Sequence, residues 1–203
     1  MLEPRDPSGR ACIAALYKAL LNRQYAEIMA ESTELQNGFN GDVEANLKSL
    51  ASPLFRIVLV EPEIPNNTGN LGRTCVGALS ELHLVGKLGF EITDKQLKRS
   101  GLDYWPHLSW FQHDSFESWY ETVDQKERIF FFTTRANQTL YDIRFQQGDW
   151  LVFGRETRGL DPSILKRFPQ QLAKIPQPGQ VRSLNLSNAA SIVLYEGIRQ
   201  LIR

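Results

Sequence analysis

Short apolar runs alternate with segments of helical periodicity from residue 55 to the end of the chain. The apolar runs predict strands over 56–60, 82–85, 128–132, 150–153 and 172–176. The other segments predict helices over 70–80, 94–101, 115–126 and 186–202. Strands that are apolar on both faces are buried on both faces, and their alternation with helices is typical of parallel sheets. The pattern therefore predicts an α/β domain with a mostly parallel sheet flanked by helices.

Residues 1–53 follow a different pattern. Apolar residues recur at intervals of three and four over 11–30, which predicts an amphipathic helix. The polar, glycine-containing stretch 37–42 predicts a flexible connection. We therefore expect an N-terminal helical extension and linker over 1–53, followed by a second domain over 54–203. The charges of the extension are mixed, which favours a helix packed on the body or on a partner over a dedicated RNA-binding arm.

The composition argues against several classes of protein. Lys and Arg together number 23, as do Asp and Glu, so no global field attracts the chain to nucleic acid or to an anionic membrane. No apolar run approaches the roughly 20 residues that span a bilayer, and the N-terminal residues do not resemble a signal peptide. Cys12 and Cys75 form no disulfide pattern, and His83, His107 and His113 have no metal-ligand spacing. We expect a cytoplasmic protein without a bound metal, with His83 packed inside its strand.

Three segments rich in Gly, Asn, Ser and Arg follow predicted strands. They cover 67–73, 153–160 and 182–188. The carboxyl ends of parallel strands meet at one edge of a sheet, where ligands of α/β proteins bind. The sequence therefore predicts one site built from these three segments. It has neither the G-x-G-x-x-G of a dinucleotide-binding turn nor a P-loop, which argues against both of those site classes.

Each segment also has a purely structural interpretation. The side chains of residues 66–68 can cap the helix that follows, and the free N–H groups at its start can equally hold an anion such as phosphate. Glu156 can cap the N–H groups that follow it or hold Arg73. Ser187 can be the N-cap of the last helix. Only the combination of the three segments distinguishes a functional site from these local roles.

Taken together, the segments resemble the SpoU group of RNA ribose 2'-O-methyltransferases. The resemblance rests on Asn-x-Gly-x-x-x-Arg over 67–73, Phe-Gly-x-Glu-x-x-Gly-Leu over 153–160, Ile-Pro at 175–176 and Arg-Ser-Leu-Asn-Leu-Ser over 182–187. Residues 61–65 and 98–104 are similar to the branch of that group that modifies the wobble cytidine or uridine of tRNA. The resemblance covers about 55–203, and residues 1–53 have no counterpart in it.

The resemblance implies a fold and a cofactor that periodicity does not predict. SpoU enzymes belong to the SPOUT superfamily, use S-adenosylmethionine, and thread the C-terminal part of their sheet into a deep trefoil knot. Knots are rare exceptions among protein folds. By motif, the cofactor-binding residues of this chain are Phe132, Gly154, Ile175, Ser183 and Leu184.

The resemblance also implies a homodimer. In the family, the knotted C-terminal regions of two subunits pack together, and the RNA site draws on both subunits. We therefore expect the helix over 186–202 at the centre of the subunit contact, with its apolar residues Ile192, Val193, Leu194 and Ile198.

Catalysis in the family depends on an arginine, which corresponds to Arg73 here, with Asn67, Glu156, Ser183 and Asn185 around it. The implied reaction is attack of a ribose 2'-oxygen of the tRNA wobble nucleotide on the sulfonium methyl group. A 2'-hydroxyl is a poor nucleophile, so the site must help remove its proton or stabilise the developing alkoxide. Family accounts make the arginine the base. Because a guanidinium stays protonated in proteins, a phosphate relay or electrostatic stabilisation is at least as consistent with the chemistry.

Two other functions stay open on the sequence. A SpoU enzyme acting on another tRNA or rRNA nucleotide would share these motifs, and such relatives often carry an additional N-terminal RNA-binding part. A non-catalytic RNA-binding paralogue would have lost Arg73 or Glu156, yet every motif position is intact. Arg155 lies at a variable position of the family pattern, and no role is predicted for it. The intact motifs favour the enzyme.

Overall fold

A computed structural model of the chain describes residues 42–50, 52–91 and 104–202. Within these ranges the helices are α1 (Val43–Ser49), α2 (Pro65–Gly77), α3 (Phe116–Glu121), α4 (Pro162–Arg167) and α5 (Leu186–Leu201). The strands are β1 (Phe55–Val60), β2 (Glu81–Val85), β3 (Trp110–His113), β4 (Ile129–Phe132), β5 (Asp149–Phe153) and β6 (Leu172–Ala173). Short 3-10 turns lie at Trp105–His107, Lys126–Arg128, Leu140–Asp142 and Pro169–Gln171.

The sheet belongs to a compact unit that comprises Leu47–Arg203. The predicted helices over 11–30 and 94–101 lie outside the described residues, as does most of the 98–104 segment. The predicted boundary between residues 53 and 54 stays a prediction.

The six strands of the described chain form one sheet in the order β3–β2–β1–β5–β4–β6. Every neighbouring pair is parallel. Strand β1 pairs with β2 on one side and with β5 on the other, so the strand order reverses at the centre of the sheet. A parallel sheet with such a reversal leaves a crevice at the carboxyl ends of its central strands. The predicted α/β fold with a parallel sheet is confirmed, and its topology directs the search for a site to this edge.

The sheet separates two apolar layers, and β1 contributes to both. Phe55, Ile57 and Leu59 lie in a layer formed with α2 and α5, whereas Val58 and Val60 lie in a layer formed with α3 and α4. Successive side chains of a strand point to opposite faces of a sheet, so a strand buried on both faces is apolar throughout. Because helices cover both faces, a ligand reaches the sheet at the loops beyond its strand ends.

Strands β1, β2, β4 and β5 lie within one residue of their predicted bounds, but β3 has no strand pattern in the sequence. It is the edge strand beside β2, and its residues Phe111 and Gln112 are exposed. The apolar run that marks a buried strand is therefore missing at this edge. Strand β6 and helix α3 are shorter than the predicted ranges 172–176 and 115–126.

Helix α2 begins five residues before its predicted start at residue 70. Pro65 occupies its first turn, where the missing N–H and the fixed φ of proline are favourable. Asn67 and Thr68 therefore lie inside the helix, and the interpretation of residues 66–68 as its caps is wrong. The N-cap residue, Ile64, has no side-chain cap of its own. The acceptor for this end of the helix must come from elsewhere in the chain.

Helix α5 packs most of its apolar residues against its own sheet. Val193, Leu194 and Ile198 are at most 6% exposed and belong to the layer shared with β1. They are core residues, which corrects the expectation that they lie at the centre of a subunit contact. Ile192, which was grouped with them, is 41% exposed, and Tyr195 on the same face is 54% exposed. The apolar surface that α5 presents to solvent is therefore small.

Candidate active site

The loops that follow β1, β4, β5 and β6 surround a cavity of about 700 Å³ at the carboxyl edge of the sheet. Its wall comprises Ile64, Asn67, residues 132–135, residues 153–160, Leu165, Ile175, Gln177, residues 182–186 and Ala189. All five predicted cofactor-binding residues lie in this wall, as do the predicted catalytic residues Asn67, Glu156 and Asn185. The structure therefore brings the three polar segments together around one cavity. Their roles as ligands stay a prediction.

The turn after β5 is closed by a backbone bridge. Arg155 N donates to Gly159 O at 3.2 Å, and Gly159 N donates to Arg155 O at 2.9 Å. Gly159 has a φ of 70°, a conformation that glycine adopts without strain. A Cβ added at Gly154 would lie 2.2 Å from Gly159 C and from Leu160 N. Any side chain at position 154 would push the turn open, so this part of the cavity wall is made of backbone.

Glu156 joins the turn after β5 to the start of α2. Its carboxylate accepts hydrogen bonds from Glu63 N at 2.7 Å, from Ile64 N at 3.2 Å and from Asn67 Nδ2 at 2.9 Å. A charged acceptor at this position holds the entry of the helix and interacts favourably with its dipole. The N–H groups that Glu156 caps lead into α2 and do not follow Glu156, which corrects the capping pattern expected from the sequence.

A pair of asparagines continues from Glu156 to the last helix. Asn185 Nδ2 donates to Asn67 Oδ1 at 2.9 Å, and Asn67 is buried. Asn185 Oδ1 accepts from Ser187 N at 3.0 Å and from Asn188 N at 3.3 Å. Asn185 is therefore the N-cap of α5, and the prediction of Ser187 in that role is wrong. We call Glu156, Asn67 and Asn185 the carboxyl-edge network.

Arg73 lies on α2 but not among the described residues of the cavity wall. Its side chain is exposed, and its guanidinium carbon lies 4.9 Å from the centre of the Tyr104 ring. Because α2 begins at Pro65, Arg73 lies about two turns into the helix instead of one. The chain thus brings the other predicted catalytic residues, including Ser183, to the cavity and leaves Arg73 outside its wall.

The segments that line the cavity fall inside a region that matches a known family. The sequence profile of the SpoU rRNA Methylase family matches residues 54–195. The chain belongs to this family.

Two SpoU relatives have names that specify their substrate. The tRNA (cytidine(34)-2'-O)-methyltransferase of Polaromonas sp. (strain JS666) is 47% identical over 153 residues, which cover 72% of this chain and 91% of the relative. The tRNA (cytidine(34)-2'-O)-methyltransferase of Burkholderia pseudomallei (strain 1106a) is 43% identical over 149 residues, which cover 72% of this chain and 96% of the relative. In both, the match spans almost the whole relative.

Solved SpoU structures are similar over the same part of the chain. One, described as "Structural insights into the 2-OH methylation of C/U34 on tRNA", is 47% identical, covers 72% of this chain and 95% of its own, and has a TM-score of 0.69. The SpoU methyltransferase AviRb from Streptomyces viridochromogenes, in complex with the cofactor AdoMet, is 23% identical. It covers 76% of this chain and 60% of its own with a TM-score of 0.63, and at that identity it shows the fold alone.

Two acidic residues before α2 hold the SpoU turn after β5, and the sequence did not predict either contact. Glu63 accepts hydrogen bonds from Thr157 N at 3.1 Å and from Thr157 Oγ1 at 2.8 Å. Glu61 pairs with Arg155, the residue without a predicted role. Glu61 has a φ of 52°, outside the extended region, so no regular spacing in the sequence indicates these contacts. The segment before α2 and the turn after β5 thus each supply carboxylates that bind the other.

The cavity of this SpoU chain combines an apolar wall with a basic mouth. Its apolar side chains include Phe132, Phe153, Leu160, Ile175 and Leu184. Arg135, Arg158 and Arg182 are exposed around the opening, and Glu156 is the single acidic residue in the described wall. Gln177 Oε1 is buried without a hydrogen-bond partner in the described residues. Such a cavity suits a ligand with a flat apolar part and polar groups, next to a polyanion.

A second polar cluster lies in the sheet away from the cavity wall. His83 Nδ1 is 3.0 Å from His113 Nε2, and Arg56 Nε donates to Glu81 Oε2 at 3.2 Å. His83 is 6% exposed and stacks on Phe111, which confirms the prediction that it is packed inside its strand. Burial, followed by the positive charges of His113 and Arg56, lowers the pKa of His83 to about 3. We call His83, His113, Glu81 and Arg56 the histidine cluster.

The described part of the chain has no candidate residues for a metal site or for a reactive thiol. Residues 42–50, 52–91 and 104–202 contain no group of three or more His, Cys, Asp and Glu side chains that could hold a metal ion. Cys75 is buried, and burial raises the pKa of its thiol, which makes it a poor nucleophile. No helix in these ranges is long and apolar enough to cross a membrane.

Proposed function

We propose that this SpoU chain is a cytoplasmic enzyme that transfers a methyl group from S-adenosylmethionine to the ribose 2'-oxygen of the tRNA wobble nucleotide, cytidine 34 or uridine 34. The observation that carries the proposal is the 47% identity, over 72% of the chain, to a tRNA (cytidine(34)-2'-O)-methyltransferase. The intact motif residues around the cavity support the same reaction.

The size and the lining of the cavity support binding of S-adenosylmethionine. At about 700 Å³ it lies within the range of small-molecule sites. Phe132, Ile175 and Leu184 would hold the adenine, and the backbone beside Gly154 would allow close approach of the rest of the cofactor. Gln177 Oε1, which is buried without a partner in the described residues, offers an acceptor for an amine. When bound, S-adenosylmethionine supplies an electrophilic methyl group.

S-adenosylmethionine, held by Phe132, Gly154, Ile175, Ser183 and Leu184, would supply the methyl group that the 2'-oxygen receives. The proton of the 2'-hydroxyl must leave, because the product is a neutral ether. Arg73 would stabilise the negative charge that develops on the oxygen, since a guanidinium stays protonated. The proton passes to water or to a phosphate oxygen of the tRNA. Ser183 and Asn67 position the phosphate or the arginine, and the carboxyl-edge network holds α2 against the cavity.

We further propose that the chain forms the knotted homodimer of its family. The knot would lie in the segment from β5 to α5, and the subunit contact would include the exposed face of α5 with Ile192 and Tyr195. The position of Arg73 outside the wall of its own cavity supports an RNA site that draws on both subunits. Each subunit would then supply its Arg73 to an RNA site beside the cavity of the other subunit.

Methyl transfer from labelled S-adenosylmethionine to bulk tRNA tests the proposal. Nuclease mapping then locates the label. Label in 2'-O-methylated cytidine 34 or uridine 34 is the expected result. Label at another tRNA or rRNA nucleotide would keep the SpoU reaction but change the substrate. Cofactor binding without transfer to any RNA would favour the non-catalytic RNA-binding paralogue.

Substitution Arg73→Ala tests the role of the arginine. We expect methyl transfer to be abolished and the affinity for S-adenosylmethionine to stay close to that of the wild type, because Arg73 lies outside the cavity wall. The control is Arg167→Ala, which removes a guanidinium paired with Glu117 on the surface and should change neither quantity. Equal loss of transfer and cofactor affinity in Arg73→Ala would show a structural role instead.

A further inference from the structure

A buried tyrosine contacts the guanidinium of Arg73. We propose that Tyr104 is a positioning residue that holds Arg73 in the orientation required for methyl transfer, an inference that rests on the proposed function. Three features of the structure support it: the hydroxyl of Tyr104, the face of its ring and the packing behind that ring.

The hydroxyl of Tyr104 is bound to the turn of α2 that carries Arg73. It donates to the carbonyl oxygen of Gly69 at 2.6 Å. In an α-helix this carbonyl also accepts the N–H of the residue four positions later, which is Arg73. Tyr104 is 7% exposed, and a buried tyrosine hydroxyl requires a partner. The ring therefore cannot turn away from α2 without losing this hydrogen bond.

The face of the Tyr104 ring restricts the Arg73 side chain. The guanidinium carbon lies 4.9 Å from the ring centre, within the range of a cation–π interaction. Arg73 is on an exposed part of α2, where a long side chain would lose much rotamer freedom on being ordered. An attractive ring face reduces the number of positions that the guanidinium occupies before RNA binds.

Neighbouring rings hold Tyr104 in place. A Cβ at Gly72 would lie 3.5 Å from Tyr104 Cε2 and 3.4 Å from Trp105 Cζ3, so α2 presents a glycine where it meets these rings. The Tyr104 and Trp105 rings are 6.4 Å apart, and Trp105 is 5.7 Å from Trp110 of β3. These rings hold Tyr104 at the edge of the sheet. A ring that is fixed in place restricts the guanidinium of Arg73 that lies over it.

The contact between Tyr104 and Arg73 should affect the rate of methyl transfer and not the binding of the cofactor. The charge of Arg73 acts when negative charge develops on the 2'-oxygen, and a small misplacement of a catalytic group lowers the rate strongly. Neither residue lies in the described cavity wall, so cofactor binding does not depend on the pair. Loss of the ring should therefore lower kcat and leave the KM for S-adenosylmethionine unchanged.

Two substitutions of Tyr104 separate the ring from the hydroxyl. Tyr104→Leu removes the ring face and should lower kcat roughly 10- to 100-fold. Tyr104→Phe keeps the ring and loses one hydrogen bond, so kcat should stay within about fivefold of the wild type. If Tyr104 acts through the Arg73 guanidinium, Tyr104→Leu should lower the rate of Arg73→Lys, which keeps a positive charge, by a much smaller factor. An equal factor in both backgrounds would overturn the proposal.

A measurement that does not depend on activity tests the contact itself. Protons of the Arg73 side chain over the ring face should show an upfield ring-current shift by NMR in the wild type and in Tyr104→Phe. The shift should vanish in Tyr104→Leu, with the melting temperature recorded as a check of folding. Equal shifts in a folded Tyr104→Leu would overturn the inference. A wild type with the expected shift but without transfer to tRNA would instead count against the proposed function.

Discussion

The carboxyl-edge network and the histidine cluster are both polar groups in a parallel sheet, yet they differ in what they contact. Glu156 and Asn185 bind backbone N–H groups of other elements and lie in the wall of an open cavity. His83 and His113 contact each other and the aromatic rings around them, and His83 is almost fully buried. Polar groups beyond the strand ends thus line a cavity that is open to a ligand, whereas those of the histidine cluster bind each other within the sheet.

The largest expected effect in this comparison comes from the backbone at the carboxyl edge. Gly154→Ala places a Cβ 2.2 Å from backbone atoms of residues 159–160, which cannot move aside without opening the turn. We expect the free energy of unfolding, measured with urea, to fall by about 3 kcal/mol and cofactor binding to be lost. Gly179→Ala is the control, because an added Cβ there meets no atom within 4 Å. A Gly154→Ala protein with normal cofactor affinity would contradict the close approach.

The next effect tests whether the charge of Glu156 holds the network. Glu156→Gln keeps the shape of the side chain but turns one acceptor of backbone N–H groups into a donor. Hydrogen bonds to charged groups contribute about 1.5–3 kcal/mol, so unfolding by urea should require about 2.5 kcal/mol less. Glu121→Gln, on the exposed end of α3, should change stability by less than about 0.5 kcal/mol. Equal small losses in both variants would show that the network does not stabilise the edge.

The histidine cluster should instead make the free energy of unfolding depend on pH. The pKa of His83 is lowered from 6.5 to about 3 in the folded protein, so the unfolded chain binds its proton first as the pH falls. The stability that neutral His83 contributes is complete above pH 6.5 and is lost between about pH 6.5 and pH 3, with about 2 kcal/mol gone at pH 5.

Substitution of His83 by Phe, a ring of similar size, should flatten the pH dependence of stability between pH 7.5 and pH 5. Urea unfolding at several pH values measures it. The exposed His107→Ala is the matched control and should leave the slope as in the wild type. A His83→Phe protein with the wild-type slope would assign the acid sensitivity to another group.

The smallest expected effect separates capping from the asparagine contact. Asn185→Ala removes the N-cap of α5 and should cost about 1 kcal/mol of unfolding free energy. Asn185→Ser retains a capping oxygen but loses the hydrogen bond to Asn67, so it should recover most of that stability. If Ser and Ala cost the same, the contact with Asn67 matters more than the cap. The affinity of each variant for the cofactor shows whether the cavity depends on the N-cap of α5 or on the hydrogen bond to Asn67.

The central strands were predictable because their environment is uniform. Residues of β1 are buried on both faces, so a plain apolar run marks it to within one residue. Edge strand β3 lacks that signal, because Phe111 and Gln112 face solvent. The periodicity of α5 showed that one face is buried, but not that Val193, Leu194 and Ile198 pack on their own sheet instead of on a second subunit. Periodicity reports burial and does not identify the covering surface.

The site residues were predictable as a set, but not their hydrogen bonds. Glu156 accepts from Glu63 N, which lies 93 positions earlier, and no local rule predicts a cap supplied from that distance. The capping role of Asn185 was missed because Ser187, which also suits an N-cap, lies two residues later. Motifs indicate which residue types meet, whereas the direction of each contact depends on the folded backbone.

The pairing of β1 with β5 has a consequence for synthesis of the chain. Their loops meet through Glu61 and Arg155, 94 positions apart, and β1 lies beside β5 along most of its length. During translation, β1 emerges long before its central neighbour, and until then one of its edges can pair with other strands. We expect the nascent chain to depend on protection of that edge, and its cooperative folding to begin only after β5 has left the ribosome.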